Sequence, residues 1–129
     1  MTRTRIAAAA LAAALPLALV STVPAHAGDD EQIKRGSCSA NADWKLKVKT
    51  DNGRLEVEGE VDSNVNGQTW RWSLRHDGRL VDRGRKQTQA PSGSFDVTRR
   101  VDNHSGSDKI RFRAVNPDTD EVCVGRMSY

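Results

Sequence analysis

Four arginines are the side chains whose type and spacing best suit a binding site. Arg71 and Arg75 alternate with apolar residues in one short segment, and Arg111 and Arg113 do so in another. Alternate residues of a strand point to opposite faces, so all four arginines point outward if their apolar neighbours point inward. Guanidinium groups make bidentate contacts with phosphate and carboxylate groups. The four form one anion-binding surface only if the fold brings the two segments together.

Two polar segments carry side-chain oxygens at alternate positions, as calcium-binding loops do. The first contains Asp62, Asn64 and Asn66, and the second contains Asn116, Asp118 and Asp120. The first segment ends in Gly67 and matches the first half of an EF-hand loop, but its twelfth position is Ser73 instead of glutamate. Aspartate, asparagine and glycine also favour turns. We therefore expect turns here, with calcium binding as the alternative hypothesis.

Residues that usually perform catalysis are few and poorly placed. After residue 27 the histidines are His76 and His104, and both lie beside turn residues. Ser105 and Ser107 lie near His104 and Asp102, but a segment rich in glycine and serine is a poor frame for a catalytic triad. The sequence also lacks a metal-ligand spacing or a phosphate-binding loop. We expect no enzyme activity, no catalytic residues and no cofactor.

The first 27 residues have the order of an export signal. Arg3 and Arg5 precede an apolar run over residues 6–20, and Ala25-His26-Ala27 forms an A-x-A cleavage site. The apolar run is shorter than the roughly 20 residues that a membrane-spanning helix needs. We predict a Sec-type signal peptide, Met1–Ala27, cleavage between Ala27 and Gly28, an extracellular location and no membrane span.

Removal of this segment changes both the charge and the redox setting. The 20 basic residues become 18 without Arg3 and Arg5, against 17 acidic residues, so the formal charge falls from +3 to about +1. A basic function must then come from where the charges lie, because there is little excess. Cys38 and Cys123 are the two cysteines, and in an exported chain such a pair predicts a disulfide. The alternative is two buried thiols or a redox pair.

The clearest structural element is a hairpin around Asn52-Gly53, a sequence typical of a two-residue type I′ turn. Before the turn three lysines alternate with apolar residues, and after it three glutamates do the same. The predicted register pairs Lys49 with Glu56, Lys47 with Glu58, Lys45 with Glu60, Val48 with Val57, Leu46 with Gly59 and Trp44 with Val61. A slip by one residue would mismatch both faces, so the register is strongly specified.

The alternation continues to the end of the chain. The predicted later strands are Thr69–His76, Leu80–Gln87, one around Phe95–Val101, one around Ile110–Ala114 and one from about Glu121 to Tyr129. Around Asp77-Gly78, Leu74 pairs with Val81 through a two-residue loop, or with Leu80 through a three-residue loop and a bulge. We predict an all-β fold, a seven-stranded antiparallel two-sheet sandwich over residues 38–129, after a flexible tail over residues 28–37.

Two segments resemble known sandwich domains. The run Lys109-Ile110-Arg111-Phe112-Arg113-Ala114-Val115-Asn116 resembles the sixth strand of fibronectin type III domains, and the tryptophan-containing third strand resembles its counterpart in immunoglobulin-like domains. The chain is also similar to small secreted proteins of actinobacteria, a family that implies no activity. The resemblance implies that the third, fourth, sixth and seventh strands share a sheet. The four arginines then cluster, flanked by Arg83, Arg85 and Lys86, and Cys38 and Cys123 meet at one pole. The alternative to a binding face is an ordinary solvated surface that is salt-bridged to Asp82.

The tryptophans allow two interpretations. Trp44, Trp70 and Trp72 could form a platform on which sugars stack, but they alternate in phase with Leu46 and Leu74, which favours the core. As a whole, the sequence favours a secreted non-catalytic binding module. Its expected partner is an anionic extracellular polymer (a cell-wall polymer, an acidic polysaccharide or a nucleic acid) or another secreted or cell-surface protein. The alternative function is a secreted inhibitor of an extracellular enzyme.

Overall fold

The computed structural model describes residues 30–129, which form eight β-strands. The strands are β1 (Glu31–Ser37), β2 (Asp43–Asp51), β3 (Arg54–Asp62), β4 (Thr69–His76), β5 (Arg79–Gln87), β6 (Ser94–Asp102), β7 (Lys109–Asn116) and β8 (Glu121–Ser128). No helix in this range is long and apolar enough to span a membrane. The predicted signal peptide, Met1–Ala27, and its cleavage site at Ala27–Gly28 lie outside the described residues.

The strands form two four-stranded antiparallel sheets that pack face to face. Sheet A has the order β1-β2-β3-β6, and sheet B has the order β5-β4-β7-β8. Their inner faces form one core, in which Trp70, Phe112 and Leu46 are among the largest fully buried side chains. The predicted all-β two-sheet sandwich is confirmed, and so is the sheet shared by the strands that carry the four arginines.

The number of strands is eight instead of the predicted seven, because part of the expected flexible tail is a strand. Residues Glu31–Ser37 pair with β2 along their whole length, from Glu31 opposite Lys49 to Ser37 opposite Asp43. All but Gly36 are exposed. An edge strand of this kind is held mainly by its backbone hydrogen bonds, so it needs no apolar alternation. Because β1 lacks the apolar alternation that identified the other strands, the sequence did not predict it as a strand.

The predicted register of the first hairpin is confirmed at all six residue pairs. The amine of Lys45 lies 3.1 Å from the carboxylate of Glu58 and 3.3 Å from that of Glu60, and Lys47 reaches Glu58 at 3.3 Å. Partial burial acts to raise the pKa of Glu58, but the hydrogen bonds from Lys45 and Lys47 outweigh it and the pKa lies below its usual value. The pairs therefore favour one register on the solvent side of the sheet.

The second hairpin differs from both registers that the sequence suggested. Asp77-Gly78 forms a two-residue turn that puts Arg75 opposite Leu80, but a bulge then places Leu74 opposite Asp82. The bulge lets Val81 pack against the core and turns Asp82 toward β6. There the Asp82 carboxylate accepts a hydrogen bond from Arg99 Nε at 2.9 Å. This contact between the two sheets involves residues 17 positions apart, so the alternation within the hairpin did not reveal it.

The predicted disulfide is present and joins Cys38, which directly follows β1, to Cys123 in β8. Cys123 is fully buried. The turn after Cys38 is also held to β8 by the Glu121 carboxylate, which accepts hydrogen bonds from the backbone N–H groups of Ala40 at 3.0 Å and Ala42 at 2.8 Å. The two cysteines meet at one pole of the sandwich, as the sequence predicted.

Gly59 is required by the close approach of the opposite sheet. A Cβ atom at this position would lie 2.6 Å from Cγ and Cε2 of the Phe112 ring. We expect Gly59→Ala to lower the free energy of unfolding by about 1–3 kcal/mol through overpacking, against the small gain that alanine usually gives a strand. Urea denaturation followed by circular dichroism measures the change.

The same substitution in a Phe112→Leu background tests the cause. Leucine removes the ring, so Gly59→Ala should cost much less there than in the wild-type chain. An equal cost in both backgrounds would show that the contact with Phe112 is not responsible.

Candidate functional site

The outer face of sheet B is covered with arginines. The register across this sheet places them in three rows, with Arg75, Arg111 and Arg126 side by side in the first. We call the whole set the arginine face: Arg71, Arg75, Arg83, Arg85, Arg111, Arg113 and Arg126. Six of the seven are exposed, and Arg111 is half-buried in the middle of its row. Like charges on adjacent strands repel one another, so this arrangement lowers stability in the absence of an anion.

The two outer faces of the sandwich differ strongly in charge. Six cations on sheet A face solvent together with nine carboxylates: Arg35, Lys45, Lys47, Lys49, Arg54 and Arg100 with Glu31, Asp43, Asp51, Glu56, Glu58, Glu60, Asp62, Asp96 and Asp102. Sheet B presents the arginine face and Lys109, and its outward strand positions carry no carboxylate. The near-neutral sum of residues 28–129, 18 basic against 17 acidic, therefore conceals a separation of charge between the two sheets.

The arginine face also lacks internal ion pairs. The salt bridges formed among residues 30–129 lie on sheet A, at the edge between β5 and β6, and around two histidines. None of them involves an arginine of this face. The alternative that Asp82 neutralises the face is not what the structure shows, because that carboxylate pairs with Arg99. The hydrogen bond from Arg99 is the main reason why the pKa of Asp82 is lowered.

A groove of about 520 Å³ lies at one end of the arginine face. Its lining includes five cationic side chains: Lys34, Arg75, Lys109, Arg111 and Arg126. The Nε atom of Arg111 is buried and has no hydrogen-bond partner within the described part of the chain. A buried donor without a partner costs about 1–3 kcal/mol. An anionic oxygen in the groove would satisfy this donor and several neighbouring charges together.

The structure brings together the four arginines that the sequence singled out. Arg75 lies directly opposite Arg111 on the neighbouring strand, and Arg113 lies opposite Ser73, between Arg71 and Arg75 on β4. The flanking residues are only partly as expected, because Lys86 pairs with the inward-facing Trp70 and so lies off the face. Sequence reasoning missed Arg126, although the buried Cys123, Gly125 and Met127 alternate around it.

In each candidate calcium segment one side-chain oxygen accepts a backbone hydrogen bond within a turn. Asp62 Oδ1 accepts the backbone N–H of Asn64 at 3.0 Å, and Asn116 Oδ1 accepts that of Asp118 at 3.0 Å. Asn64 and Asp120 have positive φ angles of 58° and 60°, as expected at tight turns. The binding of calcium by Asp62, Asn64, Asn66, Asp118 and Asp120 stays a prediction.

A cluster of histidines and aspartates occupies the pole opposite the disulfide. His76 ends β4, Asp77 is in the following turn, and His104 and Asp108 lie between β6 and β7. His76 Nε2 lies 2.6 Å from Asp108 Oδ1, and His104 Nδ1 lies 2.6 Å from Asp77 Oδ2. Sequence reasoning treated both histidines only as poor candidates for catalysis. The residues are separated by 28 positions in the chain, so no local motif shows the cluster.

The electrostatics of the cluster follow from its hydrogen bonds. The pKa of His104 is raised, mainly by its hydrogen bond to the Asp77 carboxylate. The pKa of Asp77 is lowered, first by the backbone N–H of Lys109, which donates to Oδ1 at 2.8 Å, and then by His104. The two imidazole rings stack with their centroids 4.3 Å apart.

Two of the three tryptophans belong to the core, as their alternation favoured. Trp70 is fully buried and Trp72 is 5% exposed, while Trp44 is half-buried at the margin of the core. A sugar-stacking platform of all three is therefore not formed.

The arginine face can bind anionic groups by charge and hydrogen bonds, and the histidine cluster supplies nitrogen and oxygen atoms that can act as metal ligands. Comparisons with protein-family models, with curated proteins and with solved structures found no match for this chain.

Proposed function

We propose that this chain is a secreted, non-catalytic binding module that holds an anionic extracellular polymer on its arginine face. The observation that carries the proposal is the array of seven arginines on the outer face of sheet B, where no carboxylate occupies an outward strand position. Such an array is unfavourable by itself, and an anionic ligand relieves the repulsion.

The proposal includes the fold family. Without β1, the strand order is β2-β3-β6 in one sheet and β5-β4-β7-β8 in the other. This order supports an immunoglobulin-like, fibronectin type III-like sandwich of the kind found in small secreted proteins of actinobacteria. The Cys38–Cys123 disulfide supports an oxidising compartment and therefore export.

The spacing of the arginines favours a polymer over a single small anion. Neighbouring strands lie about 4.8 Å apart, and outward residues along one strand repeat at about 6.6 Å. The face therefore offers cations in two dimensions at intervals of several ångströms. A chain with an anionic group on each successive unit can contact several of these at once, and each contact releases counterions from the polymer.

The charge on sheet A complements this role. Its outer face carries an excess of carboxylates, so a polyanion is repelled there and attracted to sheet B. The groove beside Arg111 provides an anchor at one end of the face, where a phosphate, sulfate or carboxylate group meets a buried donor. Polymer binding would thus be oriented, although the net charge of residues 28–129 is small.

The experiment compares wild type with a variant carrying Arg71→Gln, Arg75→Gln and Arg113→Gln. These three arginines are exposed, so their replacement removes charge without disturbing the core. We expect the variant to bind inorganic polyphosphate and heparin at least tenfold more weakly at physiological salt. The slope of log affinity against log salt should fall by about 2, since each lost contact removes about 0.7.

A second variant with Arg35→Gln, Arg79→Gln and Lys86→Gln removes the same charge from exposed positions off the arginine face. It should bind nearly as the wild type does. Equal weakening in both variants would contradict a specific face, and binding unchanged in the first variant would overturn the proposal. The alternative function, inhibition of an extracellular enzyme, stays a prediction.

A further inference from the structure

We propose that His76, Asp77, His104 and Asp108 form a binding site for a divalent transition-metal ion of the zinc class. Each residue supplies one ligand atom, and all four atoms lie within 4.8 Å of one another. Two imidazole nitrogens and two carboxylate oxygens are ligands that Zn²⁺ commonly takes in proteins. The two carboxylates would also balance the charge of the ion.

The distances agree with a tetrahedral site after small movements. Ligand bonds to zinc are about 2.0–2.2 Å long, so neighbouring ligand atoms in a tetrahedral site lie about 3.3–3.6 Å apart. His76 Nε2 lies 2.6 Å from Asp108 Oδ1 and 3.5 Å from Asp77 Oδ2. His104 Nδ1 lies 2.6 Å from Asp77 Oδ2 and 3.8 Å from Asp108 Oδ1. An ion that replaces the two short hydrogen bonds would move each pair apart by less than about 1 Å.

The ligand side chains are already oriented by the backbone around them. Asp77 Oδ1 accepts the N–H of Lys109 at 2.8 Å, which leaves Oδ2 directed at the histidines. Asp108 is 1% exposed, and its backbone exchanges two hydrogen bonds with Tyr129, at 3.0 and 2.9 Å. Its Oδ1 also accepts the N–H of His104 at 3.1 Å. Such outer contacts fix ligand geometry and strengthen metal binding.

An ion can reach this site from solvent. A cavity of about 410 Å³ adjoins the cluster, and its lining includes His76, Asp77, Asp102 and His104. His76 and Asp108 form the buried floor of the site, while His104 lies at its mouth with its side chain 48% exposed. The site lies at a pole of the sandwich, and it does not include any residue of the arginine face. It therefore stands independently of the proposed function.

Calorimetric titration of the full chain with Zn²⁺, without an affinity tag, tests the inference. We expect one ion to bind per chain and the melting temperature to rise with zinc concentration. His104→Ala should weaken zinc binding by at least tenfold, and Asp77→Asn should weaken it as well. His104→Ala also removes the hydrogen bond to Asp77, so the shift that zinc causes is measured against the metal-free melting temperature of the same variant.

Asp96, an exposed carboxylate on β6 outside the cluster, provides the matched control. Asp96→Asn should bind zinc as tightly as the wild type. The proposal would be overturned if no ion bound in a one-to-one ratio, or if His104→Ala bound zinc as tightly as the wild-type chain.

Discussion

Replacing Phe112 by alanine should lower the free energy of unfolding by about 3–5 kcal/mol, the usual cost of removing a buried aromatic ring. Phe112 is 1% exposed and lies in the centre of sheet B, opposite Leu74 on one side and Gly125 on the other. Its ring also fills the space above Gly59 in sheet A. The loss should be large because the surrounding strands are fixed by their hydrogen bonds and cannot collapse into the cavity.

Urea denaturation followed by tryptophan fluorescence measures this loss. Leu80→Ala is the matched control, since it also removes an apolar side chain from a strand of sheet B, but Leu80 is 44% exposed. We expect the control to change the free energy of unfolding by no more than about 0.5 kcal/mol. Similar losses in the two variants would contradict the assignment of Phe112 to the centre of the core.

Removing the disulfide should have a comparable effect. Cys38 and Cys123 are 85 residues apart, and closing a loop of this length stabilises a folded chain by about 4.5 kcal/mol in the chain-entropy model. Small domains have a total stability of about 5–15 kcal/mol. We therefore expect the double variant Cys38→Ala with Cys123→Ala to retain little stability, with a large fall in its urea midpoint.

Reduction of the wild-type chain provides the control for this variant. Dithiothreitol opens the loop without removing any side-chain atom, so the reduced wild type shows the effect of the crosslink alone. The double variant should be somewhat less stable still, because Cys123 is fully buried and alanine leaves a small cavity there. If reduced and oxidised wild type unfolded at the same urea concentration, the bridge would contribute nothing.

The parts of the fold that could be predicted are those in which local patterns agree with one another. In the first hairpin a two-residue turn, three lysine–glutamate pairs and the apolar side all require one register, and that register is present. In the second hairpin the turn at Asp77-Gly78 was predicted, but both predicted partners of Leu74 were wrong, because the bulge places Leu74 opposite Asp82. The bulge accompanies a contact between Asp82 and Arg99, on different sheets, which alternation along one hairpin does not encode.

The edge strand shows a second limit of sequence patterns. Glu31–Ser37 has no apolar face, so its sequence resembles a tail, and its partner strand decides its conformation. Gly59 shows a third limit of sequence patterns. The predicted register correctly placed Gly59 opposite Leu46 on the neighbouring strand, but only the position of Phe112 in the other sheet explains why the residue must be glycine.

The two candidate sites also differ in how far the sequence could predict them. The arginines could be predicted because strand alternation decides which way each side chain points, and the resemblance placed their strands in one sheet. The histidine cluster depends on how a turn and a loop meet in space. His76 and Asp77 lie at the end of one hairpin strand, and His104 and Asp108 lie in a separate loop. Neither pair has a recognisable metal-ligand spacing, so only the folded chain brings them together.

The position of the disulfide also determines how the domain would respond to a pulling force. A force applied at the two ends of the chain passes directly through the Cys38–Cys123 bond and bypasses the 85-residue loop between them. Within residues 30–129, the segments outside this loop are residues 30–37, which include β1, and residues 124–129, which include the end of β8. Stretching would therefore detach the edge strand and the end of β8, while the segment that contains β2 through β7 could not be extended until the sulfur–sulfur bond broke. When the oxidised protein is stretched from its ends, we therefore expect it to lengthen only by the residues outside the loop, while the residues between Cys38 and Cys123 stay unextended.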